Sequence, residues 1–291
     1  MKVSVIGPGA LGCLFAARLA HAGIKVTLVD HRPDRVSRLT HSGISLETRE
    51  GSISAKPSVS TQVPTRQDFH IVCVKSHSTG ALKLTKGACV LTPQSGLGNV
   101  ETLCTMVGSA NVLAGATQEG ATWLAEGRVR HSISGMTTFG SWTTCETKCV
   151  ERAFSEAGIA YQLTDSPGRI LWENVAVLAG IGPLTALLGV ENGRLVEIGD
   201  VRQLLRDLVV EAAKVATTEG YRFEYSLVER AEEMCRQTAP ALSAMLQDVR
   251  ANRLTEIEQI SGEILRRAEL ASLPVPRTRV VYQLMKGLER R

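Results

Sequence analysis

Apolar positions near the start of the chain fall into a short run, a glycine-punctuated turn, a helical stripe and a second run. Val3, Val5 and Ile6 make the first run, residues 11–22 are apolar at helical spacing, and Lys25-Val26-Thr27-Leu28-Val29-Asp30 returns to strand character after Gly23. This predicts strand, turn, helix, strand. Residues 43–55 alternate as a strand pair turning at Glu50-Gly51, and buried-strand runs recur at 69–75, 88–92 and 111–116. Over 121–142, short alternating segments broken by Glu126-Gly127 and Gly135 predict antiparallel strands on the far side of the same sheet. A helix is expected over 145–157 and a last strand over 161–163.

Strand signals stop at Ser166-Pro167-Gly168. Helical spacing then covers 169–188, 196–219, 225–237, 240–270 and 277–288, the last after the breakers Pro274 and Pro276. The expected fold class is α/β: an N-terminal doubly wound, Rossmann-type sheet over residues 1–165, followed by an all-helical domain over 166–291 for substrate binding and dimerisation. Residues 175–190 are apolar on nearly every side, but the run is shorter than the roughly 20 residues a bilayer requires. Gly180, Gly182 and Pro183 interrupt it and no basic cluster flanks it, so a helix buried in protein is expected there and no membrane association.

Composition changes this picture little. A chain of 291 residues can bury two cores, and its formal charge of +4 is spread out, with no basic block beyond Arg266-Arg267 and Arg290-Arg291. No nucleic-acid partner is therefore expected. The first residues already read as strand, which points to a cytoplasmic location. Of seven cysteines only Cys145 and Cys149 lie close together, as C-x3-C without a second pair or a nearby histidine, so reduced thiols and no metal site are expected.

The chemistry-bearing signal is Gly7-Pro8-Gly9-Ala10-Leu11-Gly12, a G-x-G-x-x-G between a strand and a helix. Gly7 permits the tight turn, Gly9 lets the backbone approach a pyrophosphate, and Gly12 allows close helix–strand packing. The N–H groups opening the helix, with Ala10 and Leu11, face the anion. Asp30 ends the second strand where a ribose-binding acid is expected; it favours NAD, whereas His31 and Arg32 could embrace the additional phosphate of NADP. Lys75 ends a strand on the side where a parallel sheet presents its ligand crevice, and is either a site cation or a surface charge. Glu256 interrupts a largely apolar stripe of Val249, Arg253, Ile260 and Ile264 on one helix, and either pairs with Arg253 or Arg250 or serves a site. Asn192 before Gly193 is either a turn residue or a ligand donor. All six histidines lie at or before residue 131, and Lys214 and Lys286, the lysines beyond 166, read as solvated charges.

Nearly the whole chain resembles the ketopantoate reductase (2-dehydropantoate 2-reductase) family. The resemblance rests on the glycine turn, Val74-Lys75-Ser76, the loop Ser95-Gly96-Leu97-Gly98-Asn99, the hairpin Gly127-Arg128-Val129-Arg130-His131, Pro183-Leu184-Thr185-Ala186-Leu187 with Asn192-Gly193, and Ser243-Ala244-Met245-Leu246-Gln247-Asp248 with Thr255-Glu256-Ile257. It implies an NADPH-dependent reductase, a place in pantothenate biosynthesis, cofactor contacts from Lys75, Ser95 and Gly96, and substrate contacts from Asn192, Lys75, position 244 and Glu256. The departures fall on the chemistry. Asn174 stands where the family has its proton-donating lysine, Leu178 and Gly182 where it has two asparagines, Ala244 where it has a serine, and Ser95 where it has a loop asparagine. Asparagine can hydrogen-bond a substrate oxygen but supplies no proton at neutral pH. Glu256, with burial raising its pKa, or a water it holds, is then the expected proton source. The expected activity is NAD(P)H-dependent reduction of a 2-oxo acid or related small carbonyl compound, more apolar or bulkier than ketopantoate. The alternative is a non-catalytic dinucleotide-binding homologue, a sensor or subunit. The apolar helix and long helical domain are compatible with a homodimer.

Overall fold

The computed structural model describes residues 1–290, which divide into two compact units, Met1–Gln94 with Asn99–Ile170, and Ser95–Gly98 with Leu171 onward. In the first unit, the strands are β1 (Lys2–Ile6), β2 (Lys25–Val29), β3 (Ile44–Thr48), β4 (Gly51–Ala55), β5 (Ser58–Ser60) and β6 (Phe69–Val72). They continue as β7 (Val90–Thr92), β8 (Val112–Thr117), β9 (Gly120–Ala125), β10 (Arg128–Ile133), β11 (Thr137–Ser141) and β12 (Tyr161–Leu163). Helices α1 (Ala10–His21), α2 (Pro33–Ser42), α3 (Asn99–Val107) and α4 (Lys148–Glu156) complete the unit.

Eight strands form one sheet in the order β12-β11-β8-β7-β6-β1-β2-β5, parallel throughout except where β11 meets β8. Beside β1 the strand order reverses, which is where an open parallel sheet presents its ligand crevice. Strand β5, parallel to β2, is too short and polar to be read from the sequence. Strands β9 and β10 correct the expectation of a single sheet: β4-β3-β10-β9 is a separate four-stranded sheet, with β10 parallel to β3 through Val129 and Leu46. Alternation marks a half-buried strand but not its partner. Helix α1 packs between the two sheets, which is why Leu14, Phe15, Ala16, Ala17 and Leu19 are all buried and the helix is apolar around most of its circumference. Arg18 on its rim donates to the Gly158 carbonyl and meets His131, whose other ring nitrogen faces the buried Glu119 carboxylate.

The second unit is helical: α5 (Pro167–Leu188, its first turn within the first unit), α6 (Arg194–Glu197), α7 (Gly199–Thr218), α8 (Leu227–Gln237), α9 (Ala244–Arg250), α10 (Glu263–Leu270) and α11 (Pro276–Leu288). Two expected helices are broken. Residues 196–219 divide at Ile198, which is extended, and residues 240–270 divide at Asn252, whose φ of 50° is the left-handed conformation asparagine tolerates. A π-helical turn, Glu258–Gly262, precedes α10. Helix α5 is long and apolar enough to cross a membrane, but 78% of its most apolar window is buried in protein.

Candidate active site

The glycine turn is built as its spacing requires. Gly7 has φ +100°, and a β-carbon there would meet the Val74 backbone nitrogen at 2.7 Å; one on Gly12 would lie 2.0 Å from the Gly7 carbonyl oxygen. A β-carbon on Gly9, by contrast, would meet nothing within 4 Å, so the space beside it is open to a ligand. Gly9 begins α1 without a side-chain cap, and no acid sits in the first helical turn. The uncapped N–H groups and the helix dipole therefore suit an anion. These residues fit the pyrophosphate of a dinucleotide.

At the end of β2, Asp30 is buried, and its carboxylate is held by Arg32 through the backbone N–H at 3.0 Å, Nε at 3.3 Å and a terminal nitrogen at 3.2 Å, and by Arg35 at 3.1 Å. His31 Nδ1 lies 3.4 Å away. Burial alone would raise the Asp30 pKa; the hydrogen bonds from Arg32 and the charges of Arg32 and Arg35 outweigh it and hold the carboxyl below its usual range. Arg35, which is not among the residues the sequence marks as candidates, also donates to the Pro8 carbonyl inside the glycine turn. Its spacing, five residues after Asp30 against eight for Arg38, is the one local feature that separates the two α2 arginines.

Lys75 does not end β6, which stops at Val72; it caps a short 3-10 turn, Ser76–Ala81. The close approach of Gly7 to Val74 sets the segment carrying Lys75 beside the glycine turn. A buried polar lattice holds it from behind. Gln94 Nε2 donates to the Val74 carbonyl at 2.7 Å and to Thr79 at 2.9 Å, Thr92 donates to Gln94, and Asn99 joins Thr79 and Ser76. Gln94 was missed among the candidates, although it sits between a strand end and the glycine loop, where a buried amide has to be satisfied.

In the second unit, α5 is buried at every position from Leu171 to Ala186 except Asn174 and Leu178, one helical turn apart. Neighbouring contacts turn it this way: Trp172 Nε1 donates to Glu219 at 3.0 Å, and buried Glu173 is bound by Tyr225 and Arg230. Gly182, the next position on the stripe, lies against Met245. Glu256 is half-buried and does not stand in the middle of a helix; it lies at the bend between α9 and the π turn, so the expected stripe is not continuous. Arg253 bonds Asp248 at 3.1 Å and Arg250 bonds the Gly189 carbonyl at 3.2 Å. Leu97 N–H donates to the Gln259 carbonyl at 2.8 Å, and Gly96, at φ +106°, sits so close to Gln259 that a β-carbon would clash at 2.8 Å. The loop carrying Ser95 and Gly96 is thus docked on the turn that follows Glu256.

Asn192 is buried against residues 238–241: its N–H donates to the Ala241 carbonyl and its Nδ2 to Thr238 Oγ1 at 2.9 Å, leaving Oδ1 buried without a protein partner. The buried Asn192 atom left for a partner is thus an acceptor, its Nδ2 donor being taken by Thr238. Ala244 opens α9 and is exposed; the adjacent Ser243 caps that helix and accepts from Thr185 at 2.6 Å. Lys286 is not solvated, being paired with Glu258 at 2.8 Å and Glu289 at 3.2 Å, while Lys214 is exposed. No cluster of three or more metal-ligating side chains occurs among the described residues. Cys145 faces Cys89, Sγ to Sγ at 3.5 Å, and not Cys149.

A doubly wound sheet with a strand-order reversal beside β1, and an uncapped glycine turn at that point, define a dinucleotide-binding α/β protein followed by a helical unit. Known proteins narrow this. Residues 3–144 match the family described as "Ketopantoate reductase PanE/ApbA" and residues 168–289 match "Ketopantoate reductase PanE/ApbA C terminal". The 2-dehydropantoate 2-reductase of Halobacterium salinarum is 36% identical over 100% of this chain and 99% of its own. A PanE/ApbA family ketopantoate reductase from Ralstonia eutropha superposes with a TM-score of 0.91 at 28% identity, covering 100% of this chain and 99% of that one. D-mandelate dehydrogenase, solved with NADH and anilino(oxo)acetate, shares the fold with a TM-score of 0.92 at 22% identity, again over 100% and 99% of the two chains. The chain belongs to the ketopantoate reductase family.

Proposed function

We propose that this chain is a nicotinamide-dinucleotide-dependent oxidoreductase that reduces a 2-oxo acid or related small carbonyl compound. The single observation carrying the reading is the uncapped glycine turn that opens α1, where a β-carbon on Gly9 would meet no protein atom and the helix N–H groups are left for an anion. The bound cofactor supplies a hydride. Residues 1–165 carry the dinucleotide site, with Gly7, Gly9, Ala10, Leu11 and Gly12 at the pyrophosphate and Lys75, Ser95 and Gly96 as further contacts; residues 166–291 carry substrate binding and a dimer contact. Glu256, or a water it holds, delivers the proton to the carbonyl oxygen, while Asn174, Asn192 and Lys75 orient the substrate and position 244 lines its binding site. NADP is the cofactor chosen, because both oxygens of Asp30 are already engaged and half-exposed Arg32 stands beside it. The non-catalytic alternative is not favoured, since the relatives carry the names of reductases.

Leu178, Gly182 and Ala244 favour a keto acid more apolar or bulkier than ketopantoate. The test is steady-state oxidation of NADPH and NADH with a panel of 2-oxo acids that includes ketopantoate. Turnover of at least one panel member is expected, with ketopantoate turnover in the Asn174→Lys variant well above that of the unaltered protein. Tight cofactor binding without any turnover sinks the catalytic reading. Equal or faster ketopantoate turnover by the unaltered protein sinks the role given to position 174.

A further inference from the structure

An acid at the end of the second strand and basic residues directly after it point to opposite cofactors, and the geometry around Asp30 shows how the conflict is met. A carboxylate offers roughly four lone-pair directions. Those of Asp30 meet three donors from Arg32 and one from Arg35, with His31 close by. The two arginines differ in freedom. The Arg32 side chain is 49% exposed and can turn toward an arriving anion, whereas the Arg35 side chain is 11% exposed and fixed on several sides. Its guanidinium donates to the Pro8 carbonyl, lies 4.8 Å from the centre of the Trp123 ring, and bonds Asp30. Glu126, the other acid near it, lies 4.0 Å from its Nε and is taken up by Arg38 at 2.7 Å, so the charge of Arg35 is directed mainly at Asp30.

We infer that Arg35 is a specificity-determining residue: by neutralising Asp30 permanently and tying it to the Pro8 carbonyl of the glycine turn, it keeps an acid that would repel a ribose 2′-phosphate from doing so. Arg32 is then at liberty to leave Asp30 without exposing an unpaired buried carboxylate, which would otherwise oppose the phosphate. Without Arg35, the Asp30 carboxylate regains acceptor capacity for a 2′-hydroxyl and its repulsion of a 2′-phosphate. This inference rests on the dinucleotide reading above and adds to it the side chain that sets the choice.

Fluorescence titration with NADPH and with NADH, on the unaltered protein and on Arg35→Met, Asp30→Asn and the double variant, tests it without reference to any substrate. The ratio of NADPH to NADH affinity is expected to fall by about tenfold or more in Arg35→Met, a change of one decade in relative binding constants, and to recover most of that in the double variant, where no charge is left to unmask. In Asp30→Asn alone it should move by less than about threefold, since the carboxylate is already neutralised. A folded Arg35→Met with an unchanged ratio overturns the inference, as does a double variant no different from Arg35→Met. If Arg35→Met does not fold, Asp30→Asn decides: a rise of about tenfold in NADPH preference means that Asp30 repels the phosphate despite Arg35, and overturns it. Unaltered protein that binds neither nucleotide overturns the dinucleotide reading itself, whereas binding with unmoved ratios overturns only the role of Arg35.

Discussion

His70 and Asn174 show how the surroundings of a polar side chain are decided by packing and not by its neighbours in sequence. His70 lies on β6 in the middle of the large sheet, with Nδ1 against Ser4 Oγ, and burial lowers its pKa from the ordinary 6.5 of a histidine to about 4. The unfolded chain therefore binds a proton between those values while the folded one does not. Stability is present in full above the unfolded pKa and is lost as pH falls toward the folded one, by up to about 3 kcal/mol. Urea midpoints of the unaltered protein should drop between neutral pH and about pH 5, while those of His70→Gln stay flatter; parallel profiles would remove His70 as the cause. Asn174 is the opposite case, a polar side chain left accessible on a helix otherwise buried from Leu171 to Ala186, apart from Leu178. Its identity was legible in the sequence and its chemical poverty with it, but its accessibility was not, because α5 is apolar on nearly every side and periodicity has no preferred face there.

Between elements, the start of α1 separates residues that hold the turn from the residue that leaves room in it. Gly9→Ala should keep the melting temperature within a degree or two and weaken dinucleotide binding by about tenfold, because its β-carbon meets no protein atom. Gly12→Ala should instead destabilise the protein by about 2 kcal/mol or more, since its β-carbon overlaps the Gly7 carbonyl. Melting curves and NADPH titrations on both variants check the distinction, and a Gly9→Ala protein that binds normally would contradict it. Helices α7 and α8 are joined in another way. Buried Glu232 on α8 is bound by Arg202 and Arg206 of α7, as well as by Arg236 of its own helix. Hydrogen bonding from Arg202, with help from Arg206 and their charges, lowers the Glu232 pKa to about 2. A depressed carboxyl contributes stability above its unfolded pKa and loses it as pH falls through the folded value. Glu232→Gln should therefore cost about 2 kcal/mol at neutral pH, discounted for the exposure of the arginines, and progressively less toward about pH 3. A gap that stays constant with pH would mean that packing, and not charge, joins the helices. The break of residues 240–270 at Asn252 belongs to the same scale. Apolar spacing runs through the break, and only the left-handed backbone there and the Arg253–Asp248 contact show that the helix closes before Glu256.

For the molecule as a whole, ligand binding should appear as stability. A dinucleotide at about a hundred times its dissociation constant adds about 2.7 kcal/mol if the unfolded chain does not bind it. Melting temperature should rise with NADPH concentration and by less in Arg35→Met; no rise at saturating NADPH and NADH would argue against a preformed site. What the sequence by itself determined is what neighbouring residues settle among themselves: a glycine turn between strand and helix, the acid that ends β2, the change to helices after Ser166-Pro167-Gly168, and the family. Those signals are local, since steric demand and hydrophobic period act over a few residues. Tertiary structure alone decided which sheet takes β9 and β10, that the loop at Gly96 rests on Gln259, that Arg253 turns to Asp248, and that Arg35 holds Asp30 to the Pro8 carbonyl. Each of these is a choice among several chemically equivalent partners, and burial of the surrounding core selects the one that leaves the fewest polar groups unsatisfied.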